Sequence, residues 1–340
     1  MAAPAPAPRT GTALAIFLIV STLVGWSAVP LFLKHFSHSI DAWTSNGWRF
    51  GFSALLWAPL LVLGAMRGSL PAGLWRAAVV PSAFNCAGQV CFTWAHYKID
   101  PGLLTFGLRM QIVFVAVGAF LLFPSERRVI RTRSYLLGAA TVFGGTLGTI
   151  LLAPAVVKGS ASDVPTGVYL FGVALAIGSG LFFACYALSV RHFMHGVRST
   201  TAFAAISQYT AAAMVMLMFA FGDGASRTDL LGGGTAAMLP FGQLLLLLFS
   251  AVIGIALGHV FYYAAIARLG VAISSGVVQL QPILVTAASA VLFGETMTAP
   301  QLVCGGVAIC GAAVMLSVQH TLARRDRAAA EIEAANAEQA

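Results

Sequence analysis

The chain has 340 residues, 59% of them apolar and 9% charged, with a mean hydropathy of +0.88. A soluble domain carries about a quarter charged residues, so a soluble globular fold is excluded. The net charge of +8 does not argue for nucleic acid as a partner, because surplus lysine and arginine in a multispanning protein collects in cytoplasmic loops.

Residues 1–11 are rich in Ala and Pro and read as a disordered tail. They are too weakly basic, and the run that follows too long, for a cleaved signal peptide. Ten apolar runs of membrane-spanning length follow. They cover about 12–33, 42–66, 74–97, 101–123 and 134–152, then 166–190, 200–221, 240–267, 270–293 and 300–318. Gly25 and Pro30 predict a bend in the first. The segment 153–165 joins the two sets of five, a Gly-rich outer loop covers 222–234, and the charged tail 320–340 reads as weakly helical and solvated.

The two sets repeat one another. Without gaps, Gly88 aligns with Gly258, Ala95 with Ala265, Lys98 with Arg268, Gln111 with Gln281 and Phe123 with Phe293, and one extra residue brings Glu126 opposite Glu295. A fixed internal period fixes architecture. Five spans per copy force the second copy to enter the membrane from the opposite side, so the repeats are inverted. The expected fold is an all-α membrane protein of ten transmembrane helices, with units at 12–152 and 166–319. Lysine and arginine in the loops, in the tails and at the ends of the runs divide thirteen to four, with Arg127, Arg128, Arg131 and Arg133 on the richer side. That bias places both termini in the cytoplasm.

Two arginines fall deep inside runs. Arg49 is eight residues past Asp41 and Arg109 nine past Asp100. At about 1.5 Å per residue both sit roughly 12–14 Å deep, near the middle of a core about 30 Å thick. A cation there needs water, a partner or a ligand; snorkelling or bonding to backbone carbonyls is the competing explanation. The third run carries Ser82, Asn85, Gln89, Thr93 and His96 on one helix face. That stripe serves either a polar cavity or hydrogen bonds between helices.

The repeat maps Gln89 onto His259, Thr93 onto Tyr263 and Arg109 onto Gln279, all near the midplane, where sites between repeats lie. Trp94 and Tyr262 supply candidate apolar contacts, with Trp26, Tyr186 and Gln208 as further wall residues. No Asp or Glu falls inside a run. A lining of Arg109, Arg49, Gln89, His96, His259 and Gln279 with aromatics suits an anionic or zwitterionic solute, its carboxylate on an arginine. No nucleophile elbow, phosphate loop or HExxH is present, so no enzymatic machinery is visible. The five cysteines lie inside apolar runs without metal-ligand spacing and read as apolar filler; neither metal nor cofactor is implied. Small residues Ala140, Gly144 and Gly148 in the fifth run, and Ala308 and Ala312 in the tenth, mark scaffold helices that pack closely.

The glutamate-terminated helix pairs, SNGWRFGFSALLWAPL in the second run, Gln281-Pro282, and the stretch from Tyr262 to Met315 resemble the ten-helix EamA-like exporters of the drug/metabolite transporter superfamily. The likeness covers about 13–318 and is specific for fold. It implies a carrier of small molecules in a bacterial inner membrane, with lipid around it, and the aromatic amino-acid exporter branch is the likeness within the group. A multidrug or nucleotide-sugar carrier stays open, while an intramembrane enzyme or a channel is disfavoured. Gly25-Trp26 stands where the group more often has Trp-Gly, and Gln111-Ile112 where it has Gln-Pro. The coupling ion and the oligomeric state are not readable.

Overall fold

A lipid interior offers no water to backbone amides, so a chain this apolar crosses it as closed helices. The computed structural model describes residues 9–157, 165–223, 232–269 and 271–339, and every regular element among them is helical. The first repeat holds α1 (Arg9–Phe36), α2 (Ala42–Met66), α3 (Leu74–His96), α4 (Pro101–Leu108), α5 (Met110–Leu122), a short α6 (Arg127–Ile130) and α7 (Arg133–Leu151). After α8 (Pro154–Val157), the second holds α9 (Thr166–Phe193), α10 (Ser199–Phe221), α11 (Phe241–Ala251), α12 (Gly258–Leu269), α13 (Val271–Val278), α14 (Gln281–Phe293) and α15 (Ala299–Gln339). A π-helical turn, Val252–Leu257, joins α11 to α12.

Nine of the described helical stretches are both long and apolar enough to cross a bilayer. The third expected span is α3. Its 23 residues reach about 34 Å, enough to cross, but the polar stripe lowers its hydropathy. Three spans are interrupted rather than continuous: the fourth between α4 and α5, the eighth at the π turn, and the ninth between α13 and α14. Two ends also differ from expectation. Helix α1 continues through Pro30 to Phe36, and α15 continues without a break to Gln339. The tail is rich in Ala, Glu and Arg, all strong helix formers, with no Gly or Pro after Gly311 to stop it.

The packing is pseudo-symmetric. Helix α2 packs on α10 and α7 on α15, each the matching member of the other repeat. Helix α3 packs on α9 as α12 packs on α1, and α5 on α9 as α14 on α1. The α7–α15 seam is the closest approach. A Cβ at Gly145 would lie 2.6 Å from the Ala308 nitrogen, and one at Gly138 2.9 Å from the Gly311 carbonyl oxygen. The register therefore sets Gly138 against Gly311 and Met315, Gly145 against Ala308, and Gly148 against Cys304. Gly144 is not part of it, since nothing lies within 4 Å of a Cβ there. Outside the bundle, Leu55, Leu121, Leu137, Val291 and Val303 are exposed, as a lipid-facing surface requires.

Ion pairs identify the two ends. Lys34 Nζ lies 2.6 Å from Glu295 Oε1 and 3.9 Å from Asp100 Oδ1. This gathers the end of α1, the start of α4 and the end of α14. The 22 residues of Pro101–Leu122 carry the chain about 33 Å away, to Glu126, whose Oε1 is 2.8 Å from Arg191 Nη2. Glu126 and Glu295 are equivalent in sequence and sit at opposite ends, so the repeats are inverted.

Candidate functional site

The broken spans face each other. Pro282 has no amide hydrogen to give Val278, and Gln279 and Leu280 turn with bonds to the carbonyls of Gly276 and Val277 at 3.2 and 3.0 Å. The first repeat reaches the same geometry without a proline. Arg109 N bonds the Phe106 carbonyl at 3.0 Å, and the Arg109 side chain reaches back to the Thr105 carbonyl, Nε to O 3.4 Å. Each break thus falls at the same point of its repeat.

Across the gap, Arg109 Nη1 donates to Gln279 Oε1 at 3.2 Å and Nη2 to Gln281 Oε1 at 2.5 Å. Gln281 Nε2 in turn donates to the Trp26 carbonyl at 2.8 Å. Arg109 is 8% exposed. Among the described residues no carboxylate lies within 4.0 Å of it. The guanidinium is held by neutral amide oxygens and a carbonyl, so its charge is solvated but not neutralised.

Trp26 connects this knot to aromatic walls. Its Nε1 donates to the Gly254 carbonyl in the π turn at 3.2 Å, a carbonyl that the irregular turn leaves available. Its ring centre is 5.0 Å from Tyr262 and 5.3 Å from His259. His259 stacks on Phe203 at 4.6 Å, and its Nδ1 faces the Ile255 carbonyl at 3.2 Å. Tyr262 lies within electrostatic reach of Arg109 and 6.2 Å from the Tyr263 ring. Tyr263 and Phe203 then form the floor of a cavity of about 260 Å³, walled by Tyr186, Val190, Arg191 and Ile206. The cavity lies at the Arg191 end, and Arg109 is not among the residues that line it.

Arg49 approaches the same π turn from the other side. It is 2% exposed, its Nε donates to Ser250 Oγ at 3.0 Å, and a Cβ built on Gly254 would lie 3.7 Å from its Nη2. The sequence candidates Arg109, Gln279, His259, Tyr262 and Tyr263 are therefore one connected group, with Arg49 across the π turn.

The remaining candidates lie elsewhere. In the polar stripe of α3, Asn85 donates to Thr210 Oγ1 at 3.1 Å and Thr93 to Asn46 Oδ1 at 2.7 Å, while Ser82 donates to the Ala78 carbonyl of its own helix at 2.7 Å, with the Ile206 carbonyl 3.3 Å away. Most of the stripe is a seam binding α3 to α2 and α10, the interhelical alternative. His96 is fully buried, with Nδ1 on the Phe92 carbonyl at 2.7 Å and Nε2 without a protein partner. Gln89 is half-buried and has no hydrogen bond among the described residues. Trp94 packs on Trp43 at 5.7 Å with Lys98 Nζ above its ring, in a cluster near the Lys34 end.

Gln281, Phe203 and Arg191 were not among the candidates. Gln281 was visible in sequence as the partner of Gln111 and as half of Gln281-Pro282. Phe203 carried no polar signal at all. The described residues contain no cluster of His, Cys, Asp or Glu suited to a metal, and the five cysteines are free. What the arrangement presents chemically is a fixed buried cation whose partners connect to Trp26, His259 and Tyr262.

The model of the EamA-like transporter family matches residues 13–151 and 170–317, once per repeat. No curated protein matches the sequence. A protein of known crystal structure superimposes with a TM-score of 0.55 at 16% identity, over 88% of this chain and 96% of the other. At that identity the likeness shows the fold alone.

Proposed function

The chain belongs to the EamA-like transporter family, a membrane transporter of the drug/metabolite kind, and from that premise we propose that it exports amino acids with aromatic or large apolar side chains. It is a secondary carrier that works by alternating access, the units 12–152 and 166–319 rocking about the site between them. The lysine and arginine bias supports a cytoplasmic Arg191 end, and the family likeness supports a bacterial inner membrane.

One observation carries the substrate class. Arg109 is a buried cation at the meeting of two broken helices, and the described residues supply it only with neutral acceptors. A substrate carboxylate would replace a neutral acceptor with a charge-assisted, bidentate one. Tyr262, His259 and Trp26 would flank the side chain, and Gln279 and Gln281 would hold the guanidinium plane. Arg49 sits one helix further from the rings and serves as the second candidate for the carboxylate.

The test is uptake into proteoliposomes. An aromatic amino acid competes with radiolabelled substrate, while its carboxamide, which lacks the negative charge, does not. Arg109→Gln loses one charge-assisted contact, roughly 1.5–3 kcal/mol, so uptake efficiency falls roughly tenfold to a hundredfold. Undiminished uptake by Arg109→Gln, or equal competition by the carboxamide, refutes the carboxylate role.

A further inference from the structure

The two ends of the bundle are closed by ion pairs that are copies of one another. Helix α1 ends in Lys34-His35-Phe36 and α9, its counterpart, in Arg191-His192-Phe193. In both, the histidine ring packs edge-on against the phenylalanine, at 5.1 and 4.7 Å. The cation of each motif pairs with the glutamate that follows the fourth span of the other repeat. Lys34 of the first repeat takes Glu295 of the second at 2.6 Å, and Arg191 of the second takes Glu126 of the first at 2.8 Å. Both pairs cross between repeats, and they lie at opposite ends.

We propose that Lys34–Glu295 and Arg191–Glu126 are the two gates of the transport path, latches that open in turn as one repeat tilts against the other. This rests on the alternating-access reading above. A tilt that separates α1 from α14 at one end lets α9 and α5 stay together at the other, because the contacts that hold α1 on α14 are the inverted copies of those that hold α9 on α5. Ion pairs suit the task. Partly exposed pairs contribute modestly to stability, enough to bias a two-state balance and small enough to break in every cycle.

The latches are unequal. Lys34 and Glu295 are 19% and 17% exposed, and Asp100 stands as a second carboxylate 3.9 Å from Lys34. Ser289 also donates to Glu295 at 2.8 Å. Arg191 and Glu126 are 50% and 28% exposed, with Arg191 over the Phe123 ring at 4.2 Å. At the position matching Asp100 the second repeat has Gly270. The Lys34 end is the tighter closure, and the cavity lies at the other, with Arg191 in its wall.

Distances measured by pulsed electron paramagnetic resonance test this without any substrate. In a chain whose native cysteines are replaced, one spin-label pair is placed at Ser39 and Thr296, beside the first latch. A second is placed at Arg131 and His192, beside the other. All four positions are exposed. Glu295→Gln shifts the first distance to longer values and does not lengthen the second; Glu126→Gln does the reverse. With Asp100→Asn added to remove the neighbouring carboxylate, the charge swap Lys34→Glu with Glu295→Lys restores the original distribution and guards against mere misfolding. If both substitutions lengthen the same distance, if neither moves either one, or if the swap fails to restore, the latches are not gates. A wrong substrate assignment would show in the uptake assay and leave these distances unaffected.

Discussion

At the scale of single residues, the molecule keeps its charges in two kinds of place. Arg49 and Arg109 are buried against neutral acceptors, while the charged pairs Lys34–Glu295 and Arg191–Glu126 sit at the bundle ends. Asp100 belongs to the second group and pays a penalty there. Burial pushes its carboxyl up to about 6, repulsion from Glu295 adds to that, and Lys34 opposes it. Tyr169 also faces it from α9, with its hydroxyl on the Ile150 carbonyl. A carboxyl harder to ionise in the folded protein than in the unfolded chain weakens the fold above its folded value, and protonation relieves the strain. The melting temperature in detergent should therefore rise as the solution is acidified through about pH 6, and Asp100→Asn should flatten that rise. The half-exposed side chain keeps the shift to a few degrees. A melting temperature that falls over this window, or an unchanged slope in Asp100→Asn, contradicts the assignment.

At the scale of elements, the interruptions matter more than the helices. Hydropathy reveals where an apolar run begins and ends, but a break of one or two residues leaves the run apolar. The breaks in the fourth and ninth spans therefore left little trace in composition. Gln281-Pro282 was the legible half, because proline removes a helix donor wherever it stands. The first-repeat break at Arg109 has no such mark and shows only through equivalence with Gln279. The polar stripe of α3 was legible as one face, yet periodicity alone could not say whether that face met a cavity or a neighbour. Bonds to Thr210 and Asn46 decide it for two of its members. Glycine spacing misled in the same way. Four-residue spacing marks a close seam, but which glycines enter it depends on rotation about the helix axis. Gly145→Val would drive methyl groups into the α15 backbone and cost about 1–3 kcal/mol or more. Gly144→Val, with open space around it, should behave as wild type apart from a small effect on helix propensity. Thermal unfolding of the two variants in detergent checks the register, and equal melting temperatures would show it to be wrong.

At the scale of the whole molecule, ten runs, an internal repeat and an odd number of spans per copy were enough to derive the inverted architecture. The proposed substrate site was legible as a list of midplane polar residues, and the connections among them were not. Arg109, Gln279, His259 and Tyr262 come together through Trp26, Gln281 and Phe203, contacts that join residues more than fifty positions apart. The latches were legible in principle, since Lys34-His35-Phe36 and Arg191-His192-Phe193 are visible in the chain, but pairing each with the opposite repeat's glutamate needed the fold. Every functional claim depends on the repeats lying upside down to one another, with Thr296 and His192 on different sides of the membrane. Labelling single cysteines at those two exposed positions with an impermeant maleimide, in intact cells and then in inverted vesicles, measures this directly. Thr296→Cys should react from outside the cell and His192→Cys only from the cytoplasmic side; reaction of both from one side would contradict the inverted architecture and the site built between its halves.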